Sequence, residues 1–267
     1  MTLGGALSAV GLIRPAKRGG FCPACRRLPS ATGDGAASEI APPALIALVF
    51  LVVAALAWVP VVEQARSMGG MAMGLGSVGS FALSWMVMMA AMMLPTAVPL
   101  VFEFARDSEG RDGWQAATGM LGVTYLSVWL AFGIVSYVVR NVFPMPLPDQ
   151  GLAGGLALVL AGLYALTPVK RASEARCREA CALHGPLPFK LTHSAVVVGA
   201  KYGLSCVGCS AAVMVAMVII GMTNLGWIVV LGAVVLVYKL APAPNARWTV
   251  ALSTALCLMG AAYWVLA

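Results

Sequence analysis

Fifteen residues from Trp85 to Pro99, WMVMMAAMMLPTAVP, place five methionines and two prolines in one apolar run. Eight of the chain's fifteen methionines fall between Met68 and Met93. Methionine is both a flexible filler of irregular cores and a soft thioether ligand. The run is therefore either packing material or a ligand ladder for a soft cation. On a helix, Met86, Met89 and Met93 share one face, and Met88 and Met92 form an i, i+4 pair beside it. Pro95 deprives the Ala91 carbonyl of its donor and Pro99 does the same to Pro95, which predicts a kink or carbonyls turned toward a neighbour. Met68, Met71 and Met73 precede the run in a glycine-rich loop, where a flexible backbone lets thioethers converge on one ion.

Cysteines raise the same question. Cys206 and Cys209 lie i, i+3 in a later apolar segment, GLSCVGCSAAVMVAM, with Met214 and Met217 further on. Helical geometry puts both sulfurs on one face, and Gly208, Ser210 and Ala211 let a second helix approach closely. A buried cysteine is most often a small hydrophobe, so packing stands beside ligation here too. In the polar stretch KRASEARCREACALHGPLPFKLTH, Cys177 and Cys181 are i, i+4, and His184 follows before Gly185-Pro186 ends any helix. Flanking arginines would lower the thiol pKa values and favour thiolate. The alternative is an interfacial amphipathic helix with incidental thiols. Cys22 and Cys25 supply only two of the four ligands of a structural zinc site and read as incidental. The candidate metal ligands are thus Met68, Met71, Met73, Met88, Met89, Met92, Met93, Cys177, Cys181, His184, Cys206 and Cys209.

What must position these residues follows from composition. The chain is 61% hydrophobic and 10% charged, against roughly 45–50% and about 25% in soluble domains. Its mean hydropathy is +0.91. Crossing the hydrocarbon core takes roughly 20 apolar residues in a helix, and several stretches here reach that without a charge. The fold class is all-α: a polytopic transmembrane bundle of about seven spans, expected at 44–62, 78–102, 116–139, 151–169, 203–221, 224–241 and 248–266. The fifth has an alternative start near Ser194. A β-barrel is excluded, because its strands alternate instead of running apolar. Residues 1–43, rich in Gly, Ala and Pro, read as a disordered basic cytoplasmic tail without a leading basic region for a cleaved signal peptide. Residues 44–267 form the bundle.

The net charge of +7 in a soluble chain would suggest nucleic acid, but here it sorts by side. Fourteen Lys and Arg fall on one side of the expected spans and two, Arg66 and Arg140, on the other. That asymmetry places the N-terminus in the cytoplasm and the C-terminus in the periplasm. Lys201, at a helix end, is expected to snorkel. All ten Asp and Glu lie outside the expected spans, which disfavours proton- or ion-coupled carriers and implies chemistry by neutral groups. No internal repeat supports an inverted-repeat transporter.

The motifs resemble a predicted metal-binding integral membrane family, domain of unknown function 2182. The resemblance rests on Trp85, Met88, Ala91, Met92, Met93 and Pro95; on Gly162-Leu163-Tyr164 with Thr167-Pro168-x-Lys170; on Cys177 and Cys181; on Cys206-x-Gly208-Cys209; and on Gly221-Met222-x-Asn224-Leu225. It covers residues from about 44 to 267 and implies metal binding, with copper the metal usually suspected. This chain departs from the pattern after Cys209, where Ser210 and Ala211 stand for a family Cys-Trp pair. It departs again at Ala165, usually Gln, and at Tyr238, usually Glu.

The expectation is a multi-pass protein of the bacterial inner membrane that binds copper(I) for transport or delivery, its partners being the lipid bilayer and a copper chaperone or cuproenzyme. Thioethers outside and thiolates inside would grade from weaker to stronger soft ligands. The alternatives are a membrane scaffold in which Met and Cys only pack, or a small-solute carrier. An enzyme is not expected, since no acid–base pair or nucleotide loop appears.

Overall fold

A computed structural model describes residues 42–67, 77–142, 150–180, 190–220, 225–240 and 246–266. They form eight helices and, among the described residues, no strand. The helices are α1 (Pro42–Ser67), α2 (Val78–Ser108), α3 (Trp114–Val142), α4 (Gln150–Ala165), α5 (Pro168–Ala180), α6 (Leu191–Ile220), α7 (Leu225–Leu240) and α8 (Ala246–Leu266). Five of them, α1, α2, α3, α6 and α8, are long and apolar enough to cross a membrane. In hydrocarbon the backbone has no water to bond, so an unbroken apolar run satisfies its amides only as a helix.

The other three are less regular. α4 is apolar but only 16 residues long, and α5 follows it at a bend of 68°. α5 carries six charged residues among thirteen, a density costly to bury in hydrocarbon. α7, with 16 residues, spans about 24 Å, short of the roughly 30 Å hydrocarbon core. α6 begins at Leu191, ahead of both starts expected for that span. Lys201 therefore sits ten residues inside the helix instead of at its end, exposed on its outer surface.

Punctuation in the sequence explains these boundaries. Ser77 caps α2, its Oγ accepting from the Ser80 amide at 3.3 Å. The turn from α2 to α3 uses Gly110 and Gly113 at φ +79° and +72°, a region that favours glycine. Thr167 caps α5, its Oγ1 accepting from the Lys170 amide at 3.3 Å. Pro168 then fills the first helical position, where no amide is needed. The Thr-Pro-x-Lys motif is thus a helix start. Thr167→Ala is expected to destabilise α5 by about 1 kcal/mol, read as faster amide exchange confined to that helix.

The centre of the bundle is α2 and α6, where 61% and 50% of the most apolar window is buried, against 17% for α1. α1 lies along α2 and presents Leu48, Val52, Leu56 and Val59 outward, a face suited to lipid. α3 packs on both α2 and α6, and the Trp85 indole donates to the Trp129 carbonyl at 2.8 Å. Small residues permit the closest crossings. A Cβ on Gly199 would meet the Leu121 carbonyl oxygen at 2.7 Å, where α6 crosses α3. α4 packs extensively on α8, with Gly155 and Gly260 each backed by the other's carbonyl.

Candidate metal centre

Three cysteines meet where α5 packs on α6. Cys206 is fully buried and Cys209 nearly so, one helical turn apart on the inner face of α6. Cys177 of α5 is buried against them. Cys209 Sγ lies 3.2 Å from the Cys206 carbonyl, which accepts its proton. Cys177, on the charged helix, has its thiol pushed well above the ordinary value, by the hydrogen bond with Cys209 first and by burial second. At Cys177 the expected lowering by flanking arginines does not hold, because the neighbouring thiol and burial outweigh it, while Cys181 lies outside the described residues.

Two polar contacts close on Cys206. The Tyr125 hydroxyl of α3 lies 3.1 Å from its sulfur. Lys239, near the end of α7, donates from Nζ to the same sulfur. The expectation that the bundle works with neutral groups alone is corrected here: an ammonium reaches the thiols. Positive charge is favourable at a helix C-terminus, and a lysine stem is long enough to carry its head several ångströms from the backbone.

The supporting shell is built from the motif residues. Tyr164 of α4 donates to the Gly208 carbonyl at 2.6 Å, fixing the backbone between the two α6 cysteines. A Cβ on Gly208 would come within 2.6 Å of Ser173 Oγ, so α5 and α6 touch one residue from Cys209. Lys170 and Glu174 form a buried i, i+4 ion pair on α5. The Tyr238 hydroxyl donates to Glu174 at 2.9 Å, while Lys170 Nζ stands 3.9 Å from the centre of the Tyr238 ring. Tyr238 thus borrows a carboxylate from α5 and clasps α7 to it, next to Lys239. Tyr238→Phe would leave that carboxylate short of a donor. It is expected to cost about 1.5–3 kcal/mol, seen as a lower thermal midpoint in detergent.

The methionine run lies in the buried part of α2. Met88, Met89, Met92 and Met93 are all buried in the core of α2, and Met92 Cε lies against Gly232 of α7. Helix α2 continues through Pro95 and Pro99. Its carbonyls turn to neighbours at Met93, which accepts from Thr96 Oγ1 at 2.8 Å and from Tyr125 at 3.4 Å, and at Thr96, which accepts from Tyr202 at 2.7 Å. Tyr125 thereby joins the methionine helix to Cys206.

A family model described as PpoB2, a copper chaperone, matches residues 82–263. The chain belongs to the PpoB2 copper chaperone family. Neither the curated proteins nor the solved structures contain a match. The copper-related part of the sequence reading is thereby upheld. The PpoB2 match spans α3 through α7 and most of α2 and α8, hence Cys177, Cys206, Cys209 and Lys239.

Within these PpoB2 residues the expected ligands separate into groups. Cys177, Cys206 and Cys209 are all buried, the first on α5 and the others on α6, which pack together; Met88, Met89, Met92 and Met93 are buried in α2. Cys181 and His184, and outside the match Met68, Met71 and Met73, lie beyond the described residues, as do Cys22 and Cys25. Among the described residues, no group of three or more His, Cys, Asp and Glu is arranged to hold a metal ion. Cys206 and Cys209 remain as two buried thiols one turn apart on α6, a donor type that suits soft ions. Sequence reasoning missed Lys239, Tyr125 and Glu174. Only the lysine's position at the end of an apolar run hinted at any of them.

Proposed function

We propose that the protein is an integral membrane carrier that holds copper(I) as cargo on Cys206 and Cys209, with Cys177 alongside, and hands it to a copper-requiring enzyme. The observation that carries this reading is the burial of one thiol on α5 and two on α6 where these helices pack, inside the residues matched to a copper chaperone family. Buried thiols backed by a tyrosine hydroxyl and an ammonium suit a soft ion withdrawn from water. The methionines of α2 would add neutral soft donors, in a run from Trp85 to Pro99 that holds no carboxylate, a group costly in hydrocarbon. Such a protein binds and releases; no catalysis is assigned to it. The motif resemblance to domain 2182 agrees with this reading.

Metal analysis of protein purified from copper-supplemented cells tests it. Copper is expected to copurify with the native chain, to be lost with Cys206→Ser, and to persist with Met92→Leu. Copper content unchanged by the cysteine substitution would dismiss these ligands. A leucine at Met92 conserves volume and is expected to change stability by less than about 1.5 kcal/mol.

The proposed setting is the bacterial inner membrane, with the basic tail and α5 in the cytoplasm, as the distribution of Lys and Arg supports. Seven crossings would then put the C-terminus outside. Alkaline phosphatase fused after Ala267 is expected to be active in the periplasm. An inactive fusion, paired with a fluorescent cytoplasmic one, would mean that α7 or the α4–α5 pair does not cross.

A further inference from the structure

The thiol cluster contains an ammonium that the ligand chemistry alone does not require. Lys239 Nζ donates to Cys206 Sγ, one helical turn from Cys209. A lysine at a helix end ordinarily extends toward water; this one turns inward onto sulfur. Lys170, a buried lysine of α5, is already balanced by Glu174. Tyr125, the other polar group on Cys206, brings a phenol hydroxyl.

Charge arithmetic gives Lys239 a purpose. Two deprotonated sulfurs and a monovalent ion carry one negative charge, and the ammonium brings the site to zero. Two sulfurs and a divalent ion are already neutral, and the ammonium would leave one uncompensated positive charge. In a buried site a net charge is costly. We propose that Lys239 is a specificity-determining residue that sets the valence of the bound ion, favouring soft monovalent cations over soft divalent ones. This rests on the copper(I) reading above and adds to it a reason for rejecting zinc-like ions that share an affinity for thiolate.

The test compares silver(I), a redox-inert monovalent probe, with cadmium(II) on the full chain in detergent, measuring both affinities by competition. Lys239→Gln and Lys239→Met, two neutral variants of similar length, are expected to lower the silver-to-cadmium preference at least about tenfold. Lys239→Arg, which keeps the charge, is expected to hold the native preference. A preference unchanged in both neutral variants, with Cys206→Ser still abolishing silver binding, overturns the role of Lys239 and leaves the thiol site standing. Equal shifts in the arginine and neutral variants make the effect one of shape and overturn it too. If the native chain takes up no silver, or Cys206→Ser binds it undiminished, the thiol site fails and the inference falls with it.

Discussion

Replacing Cys206 and Cys209 together by serine is expected to reduce copper(I) binding by the purified protein to background while leaving the bundle folded. A hydroxyl is a hard, weakly binding donor where a thiolate is a soft, strong one, so the exchange removes the ligand chemistry and little else. Both residues sit on the inner face of α6, where serine fits the volume of cysteine. At position 206 a hydroxyl can still meet Tyr125 and Lys239, and at 209 it can still donate to the carbonyl one turn back. Helicity by circular dichroism and the thermal midpoint should therefore change little. A combined loss of folding and copper would reveal the pair as core, and the packing alternative would gain.

Gly260→Leu is expected to produce the largest loss of stability of any single change considered. Its Cβ would lie 2.6 Å from the Gly155 carbonyl oxygen and about as close to α4 side chains, at 3.0 Å from Val159 and 3.1 Å from Leu158. The nearest obstacle is backbone, so no rotamer change relieves it; α4 and α8 must part along their whole shared face. Inserting bulk into a packed core typically costs about 1–3 kcal/mol and more where backbone must shift. Low yield of monodisperse protein and a markedly lower thermal midpoint are the readouts. Gly208→Leu meets only a serine side chain and should do less harm globally, loosening α5 and drawing Cys177 away from Cys209. Native stability in Gly260→Leu would mean that α4 and α8 do not cross as described.

Much of the fold was legible because lipid imposes one rule on every apolar run. Each expected span falls on a helix, although only five helices, or six if the bent α4–α5 pair counts as one, are long and apolar enough to cross a membrane, and the span expected at 151–169 breaks after Ala165; the Cys206–Cys209 face followed from spacing alone. Boundaries were harder. The start of α6 lies among polar and small residues that hydropathy does not count, and α5 was only conditionally helical until Thr167 and Pro168 were seen as its cap and first residue. The contacts that complete the thiol site were illegible for a different reason. Lys239 and Tyr125 reach Cys206 from α7 and α3, separations of 33 and 81 residues. No local pattern encodes which helices become neighbours. Tyr238 read as a lost carboxylate until α5 was seen to bring Glu174 to it.

X-ray absorption at the copper edge of the copper(I)-loaded chain tests the central claim most directly, since it reports the atoms bound to the metal. Sulfur-only neighbours, lost in the Cys206→Ser, Cys209→Ser double variant, are the predicted result. A first shell of nitrogen or oxygen, or a sulfur shell that survives the double substitution, would contradict it.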